Sequence, residues 1–229
     1  MAFRKPIHMT ADDHALVTDA VRAAEAHCDG EIVTIVTDVS DHYADTPHKW
    51  AAIGAFMMTS ALLVFPGFFQ AIINGFTGGW NQHVEPEDYV FIVLLVAVVS
   101  YGLFWAALLP RKVRLFFTAK GVKERRVRDK AIASFRIGGE GRTHGATAVL
   151  LYVSLSEHRA EIVADKSIAD KVAPTEWGDA MALLIGRIKR GEAGQGMADA
   201  VAAVGALIAI HFPKTEADTN ELPDRLIEL

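Results

Sequence analysis

Two runs of this sequence carry no charged residue: WAAIGAFMMTSALLVFPGFFQAII at residues 50–73 and VFIVLLVAVVSYGLFWAALL at residues 90–109. A helix of about 20 apolar residues crosses the roughly 30 Å hydrocarbon core of a bilayer. Soluble helices of this length that are apolar on every face are rare, so a pair of buried core helices is the weaker interpretation. We therefore predict a transmembrane hairpin, 50–109, with spans at about 50–73 and 90–109.

The distribution of charge predicts how this hairpin is oriented. The connecting segment, 74–89, contains no Lys or Arg but carries Glu85, Glu87 and Asp88. The segment after the second span is strongly basic, with Arg111, Lys112, Arg114, Lys120, Lys123, Arg125, Arg126, Arg128 and Lys130. Basic residues beside a span stay on the cytoplasmic side of the membrane. The soluble part and both termini are therefore predicted to be cytoplasmic.

Composition argues against several classes of protein. Neither span contains Asp, Glu, Lys, Arg or His, which disfavours a transporter or pump. The 229 residues have a formal net charge of −5, and the basic residues cluster beside the spans, so the expected partner is the lipid bilayer and not nucleic acid. Cys28 is the only cysteine and cannot form an internal disulfide, in keeping with a reducing compartment. The N-terminus lacks the apolar core of a cleaved signal peptide.

The periodicity of the soluble part predicts a mixed-sheet α/β sandwich that the hairpin interrupts. Residues 1–49 and 110–213 would form one split domain, and 214–229 would form an acidic tail in which Leu222, Leu226 and Ile227 can dock. Helices are predicted at 10–28, 118–137, 176–190 and 197–210, and strands at 31–39, 146–153 and 159–165. The first two strands would pair in parallel through the helix at 118–137, and the last two would form an antiparallel hairpin.

Acidic residues follow the predicted first strand. Asp38, Asp41 and Asp45, with His42 and His48, can hold a hard cation such as calcium or, with the imidazoles, a transition metal. The simpler interpretation is a solvated acidic linker. Because ligands of open α/β sheets usually bind at the carboxyl ends of strands, we expect any ligand crevice at this edge to face the membrane surface.

Asp165 ends the last predicted strand. It can pair with Asp38 at the sheet edge to bind a metal or to act in acid–base chemistry. The alternative is that Asp165 caps the short helix predicted at 167–172.

Five basic residues after the second span are candidates for contact with lipid: Arg111, Lys112, Arg114, Lys120 and Lys123. Cations mixed with Phe116 and Phe117 are typical of an interfacial segment that binds anionic head groups. The alternative is that these charges only set the orientation of the spans.

Three segments together resemble the TPM domain, a family named partly for a thylakoid-lumen protein of photosystem II repair. They are CDGEIVTIV (28–36), RTHGATAVLLYVSLSEHRAEIVADKSIADKV (142–172) and EWGDAMALLIGRIKRGEAGQGMADAVAAVGALIAIHFP (176–213). The chain resembles in particular a bacterial membrane subgroup with two internal spans and an ending like NELPD (220–224). The resemblance implies an α/β sandwich in a bacterial inner-membrane protein. Family members are described as acid phosphatases, as calcium binders, or as accessory factors of membrane complexes.

Two positions depart from the family pattern. Thr143-His144-Gly145 stands where many members have Asn-Asn-Gly, and Ala164-Asp165-Lys166 stands where a Gly-x-Gly turn is common. The function we expect is that of a membrane-anchored accessory or binding module for a membrane-protein complex, a lipid head group or a divalent cation. The alternative is a metal-dependent acid phosphatase that uses Asp38, Asp41 and Asp165, with Arg142 as the phosphate clamp.

Overall fold

The computed structural model describes residues 9–77, 86–138, 146–173, 175–215 and 221–229. The chain divides into two compact units, which are described separately. The α/β unit comprises Met1–Asp41 and Lys120–Leu229, and the helical unit comprises His42–Ala119. In chain order, the elements are α1 (Ala11–Glu25), β1 (Glu31–Thr37), α2 (Asp45–Val64), α3 (Pro66–Thr77), α4 (Pro86–Ala107), α5 (Arg111–Phe117), α6 (Lys120–Gly138), β2 (Ala148–Ser154), β3 (Arg159–Ala164), α7 (Lys166–Ala169), α8 (Gly178–Arg190), α9 (Ala193–His211) and β4 (Ile227–Glu228).

The α/β unit is built on a four-stranded mixed sheet in the order β3-β2-β1-β4. β1 and β2 are parallel, in register from Glu31 opposite Ala148 to Thr37 opposite Ser154, and β2 and β3 are antiparallel. The structure confirms the predicted mixed α/β class, the parallel pairing of β1 with β2, and the β-hairpin formed by β2 and β3. The fourth strand, β4, lies in the segment predicted as an acidic tail and pairs in parallel with β1. The predicted docking of this tail is confirmed, since Leu222 and Leu226 are buried and Ile227 pairs with Ile35.

Both faces of this sheet are covered. Helices α1, α8 and α9 enclose one face, where Ile32 and Leu151 are buried with Val204. Helix α6 covers the other face with Val127, Ala131 and Phe135. Burial on both sides explains why β2 is apolar at almost every position, as expected for a central strand.

Helix α1 begins where the sequence predicts. The hydroxyl of Thr10 accepts the backbone N–H of Asp13 at 3.1 Å, and the Asp13 carboxylate accepts the N–H of Thr10 at 2.9 Å. This reciprocal capping box satisfies two N–H groups that a helix start leaves unpaired. The helix ends at Glu25, three residues before the predicted end at Cys28.

The first predicted span, 50–73, is not one continuous helix. The chain breaks at Phe65, between α2 and α3, where Pro66 and Gly67 favour a kink. Pro66 has no backbone N–H and can only begin a new helix there. Helix α2 also begins before the apolar run, at Asp45, and it packs on α4, with Gly54 against the ring of Phe104. Residues 78–85 of the predicted loop lie outside the described residues.

Among the described residues, two helices are long and apolar enough to cross a membrane: Tyr89–Ala107 and Ala193–His211. They differ in environment, since 6% of the first and 56% of the second is buried within the protein. The second belongs to α9, which is packed between α1 and α8 in the α/β core. A buried core helix passes the same length and hydropathy test without crossing a bilayer. Helix α4 is thus the stronger membrane candidate.

Candidate functional site

The predicted ligand edge lies where β1 and β2 end. The turn from β2 to β3 is fastened there to Asp38, whose backbone carbonyl accepts the N–H of Ser156 at 2.9 Å. The Asp38 carboxylate accepts the Ser156 hydroxyl at 2.6 Å. Asp38 therefore orders the turn at this edge, a role that the sequence analysis does not predict.

A buried glutamate in the same turn was missed by the sequence analysis. Glu157 is buried, and its carboxylate accepts the N–H of Ser40 at 3.0 Å and the hydroxyl of Ser154. The Tyr152 hydroxyl donates to the Ser40 hydroxyl at 3.1 Å, and burial raises the pKa of Tyr152 to about 12. The only local signal was the spacing Ser-x-x-Glu, which occurs in many exposed turns. These bonds satisfy the buried carboxylate and hold the loop after β1 against the end of β2.

Asp41 is held at the same edge by α6. Its carboxylate forms an ion pair with the guanidinium of Arg126. The pair is partly exposed, so it contributes little to stability but orients both side chains. Asp38 and Asp41 thus both follow the carboxyl end of β1, but Asp38 bonds to the turn between β2 and β3 and Asp41 bonds to α6.

Asp165 lies at the opposite end of the strands, where β1 and β2 begin. β3 runs antiparallel to β2, so its end lies beside the start of β2, where the Asp165 carboxylate accepts the N–H of Ala148 at 3.0 Å. Ala148 in turn pairs with Glu31 at the start of β1. The seven-residue β1 separates Asp165 from Asp38 by about 20 Å. The predicted Asp38–Asp165 pair is therefore not formed. Asp165 does occupy the cap position of α7, but without a side-chain capping bond.

The described ranges contain no group of three or more His, Cys, Asp or Glu side chains placed to hold a metal ion. Asp45 and His48 lie on α2 in the helical unit. Asp45 pairs with Lys49 at 2.6 Å, and His48 hydrogen-bonds the Tyr101 hydroxyl at 2.8 Å. Calcium binding by Asp38 and Asp41 thus stays a prediction. Asp165 is too far away to be a ligand of the same ion.

The structure divides the predicted lipid-facing cations between its two units. Arg111, Lys112 and Arg114 lie on α5, a helix without a buried residue. Arg114 donates to the carbonyl of His42 at 2.8 Å and to that of Leu109 at 3.3 Å. Its guanidinium therefore fastens α5 to the chain segment before α2.

The aromatic residues of α5 are exposed beside these cations. Phe116 is 82% exposed, and Phe117 packs edge-on against Trp50 with ring centroids 5.5 Å apart. The Trp50 indole N–H also donates to the carbonyl of Phe117 at 3.1 Å. Exposed aromatic side chains beside cations are typical of a helix at a membrane interface.

Lys120 and Lys123 begin α6 in the α/β unit. Lys123 is partly buried, and burial together with the nearby Arg159 lowers the pKa of its ammonium group. The ammonium group of Lys123 is therefore less accessible to lipid head groups than that of the exposed Lys120.

A second polar cluster, absent from the sequence predictions, lies at the amino end of β1. Arg22, Glu25, Glu31, Lys214 and Asp224 line a cavity of about 180 Å³. Glu25 accepts the N–H of Ile32 at 2.7 Å, which caps the start of β1. Burial raises the pKa of Glu25 to about 8, opposed by that hydrogen bond and reinforced by the nearby carboxylates.

Glu25 makes stability depend on pH with a defined sign. Between about pH 5 and 8 the folded state keeps a proton that the unfolded state, with a carboxyl pKa of 4.5, has released, so stability falls as pH rises and levels off above about pH 8. Glu25→Gln keeps the acceptor for Ile32, should remove most of this slope, and should stabilise the α/β unit at pH 8.5 by about 2–4 kcal/mol. Urea unfolding at several pH values measures this. Asp129→Asn, at an exposed position of α6, is the control, and an unchanged slope in Glu25→Gln would contradict the assignment.

Comparisons with known proteins bear on the fold. No family model and no curated protein matches the chain. Among solved structures, it is similar to the NMR structure of the BA42 protein from the psychrophilic bacterium Bizionia argentinensis sp. nov., with a TM-score of 0.55 and 17% sequence identity. The match covers 100% of this chain and 99% of that one. At this level of identity, the similarity shows the fold and nothing about activity.

Proposed function

We propose that this chain is a membrane-anchored accessory module of the TPM type in a bacterial cytoplasmic membrane. The observation that carries the proposal is the exposed apolar surface of α4 in a chain whose other unit is a closed α/β sandwich. An apolar helix of this length is stable when lipid covers it. The α/β unit then serves as the cytoplasmic part that binds a membrane-protein partner.

The points of attachment support a binding role for the carboxyl edge of the sheet. The chain leaves the α/β unit after Asp41 and returns at Lys120. Asp41 and Arg126 pair close to these junctions. The edge at which the chain leaves and re-enters the α/β unit is the surface that we assign to the membrane-protein partner. Arg111 and Lys112 of α5, next to the exposed Phe116, are the residues we assign to anionic lipid head groups.

The phosphatase alternative loses support from the geometry. It needs Asp38, Asp41 and Asp165 around one cation, and Asp165 lies at the other edge of the sheet. The proposed phosphate clamp, Arg142, lies outside the described residues. Asp38 and Asp41 are moreover engaged by Ser156 and Arg126. Binding without turnover is the function that these contacts favour.

One pair of measurements separates the two functions. The tagged protein is extracted from its native membrane in mild detergent, its assembly size is determined, and its hydrolysis of a generic phosphomonoester is followed during a calcium titration. We expect a stable assembly larger than the 24.9 kDa chain with its micelle, and no turnover. A lone chain that hydrolyses the ester, and loses this activity in Asp38→Asn, would show that the accessory role is wrong.

A further inference from the structure

The C-terminal segment 221–229 occupies the edge of β1 that faces away from β2. Ile227 pairs with Ile35 and Glu228 with Val36, in parallel. The N–H of Leu229 donates to the carbonyl of Val36 at 3.0 Å, and its carbonyl accepts the Thr37 hydroxyl at 3.0 Å. The segment therefore binds as an added strand, which is a common way of recognising an extended peptide.

Side chains of the segment alternate between apolar and acidic anchors. Leu222 and Leu226 are buried. Two residues after each leucine an acid reaches a basic group of α1: Asp224 pairs with Arg22 at 3.1 Å, and Glu228 with His14 at 2.8 Å. The groove along β1 thus recognises leucines, and its rim on α1 recognises carboxylates.

The entry of the segment into the groove is held by a carboxylate of β1. The buried Glu31 accepts the N–H groups of Glu221 at 3.1 Å and Leu222 at 3.2 Å. Both bonds come from backbone N–H groups, so they do not depend on the side chains of the bound segment. Any extended chain that enters in the same register can make them.

The C-terminal segment is held to β1 over a short length. β4 has two residues, whereas its neighbour β1 has seven. The pair between His14 and Glu228 is partly exposed, whereas Asp224 in the pair with Arg22 is largely covered. A segment of another protein with the same spacing of leucines and acids can make the same contacts.

We propose that the groove formed by the outer edge of β1 and the rim residues His14 and Arg22 binds an extended, leucine-containing acidic segment of the partner protein. The C-terminal segment 221–229 occupies the groove within the chain until that segment displaces it. This inference rests on the proposed accessory function and names the surface through which it operates.

The test begins with the intact protein so that folding is not compromised. A protease site replaces residues 216–220, and the full chain is purified in detergent, cut, and mixed with a fluorescent peptide of sequence 221–229. The peptide should bind the cut chain and not the uncut chain. A peptide with Leu226→Asp should bind at least about tenfold more weakly, because a buried leucine is lost. A cut chain with Arg22→Glu should also bind at least about tenfold more weakly, because the ion pair with Asp224 becomes a repulsion between two carboxylates. Lys130→Glu, an exposed charge reversal on α6, should bind normally.

Several outcomes would overturn the inference. They are a folded cut chain that does not exchange its own segment, a cut chain that unfolds, and equal binding of a scrambled peptide. Light scattering that reveals dimers formed by exchanged C-terminal segments would assign the groove to a second copy of this chain instead. If the native assembly persists unchanged in Arg22→Glu, the groove assignment fails while the accessory function stands. If the intact protein forms no assembly at all, the accessory function is wrong, whether or not the peptide binds.

Discussion

Gly205→Ala is expected to lower the free energy of unfolding of the α/β unit by about 1–3 kcal/mol, because it places a methyl group where two helices touch. Gly205 lies in α9 against α1. A Cβ atom there would be 2.5 Å from the Cβ and 3.2 Å from the Cα of Ala24. The Ala24 contact is partly backbone, so no flexible side chain can move aside. The helices would have to separate, which opens the core around Val21 and Val204.

The same substitution in a helix with open space should have the opposite sign. A Cβ at Gly186 in α8 meets only the distant guanidinium of Arg190, at 3.8 Å. Gly186→Ala should therefore stabilise the unit by up to about 1 kcal/mol through helix propensity. Urea-dependent hydrogen exchange of the α1 and α9 amides reports both effects. Equal stabilisation by the two substitutions would show that α1 and α9 are not packed as closely as described.

Val98→Lys in α4 is expected to reduce membrane insertion strongly. Val98 is 70% exposed, and lipid would cover it if α4 crosses the bilayer. A lysine near the centre of a spanning helix costs about 2.5–3.5 kcal/mol in apparent insertion free energy, roughly a hundredfold in the insertion equilibrium. The measurement is the fraction of protein that stays in the membrane pellet after alkaline carbonate extraction. The α/β unit should keep its protection against hydrogen exchange.

Val204→Lys is the matched test in the other long apolar helix. Val204 in α9 is completely buried in the α/β core. A lysine there would bury an unpaired charge and should unfold the α/β unit without reducing the fraction of protein in the membrane pellet. The reverse pattern, with insertion lost in Val204→Lys and kept in Val98→Lys, would mean that α9 and not α4 is the spanning helix.

Much of the α/β unit was predictable because its signals are local. The alternation in EIVTIVT and the continuous apolar run of β2 predict strands, and the capping box at Thr10 predicts the start of α1. The pairing of strands that are far apart in sequence was harder to predict. β4 has two residues and no periodicity of its own, and it becomes a strand only because the edge of β1 offers unpaired backbone groups.

The sequence likewise predicted only some of the residues of the candidate site. Asp38 and Asp41 were found because they directly follow a clear strand. Asp165 also ends a strand, but β3 runs antiparallel to β2, which carries that carboxylate to the far edge of the sheet. Glu157 and Glu25 appear in the sequence as ordinary polar residues of a turn and a helix end. Their burial depends on chain segments more than a hundred residues away for Glu157, and on the C-terminal segment for Glu25.

By itself, the sequence determined the kinds of elements in this protein, since hydrophobic periodicity and capping act over a few residues. It also placed two uncharged apolar runs, 50–73 and 90–109, between the segments that form the α/β unit. Only the tertiary structure decided which carboxylates share an edge, which acids are buried, and that the C-terminal segment completes the sheet. Those outcomes depend on strand direction and on burial by distant segments, and no local pattern of residues encodes either.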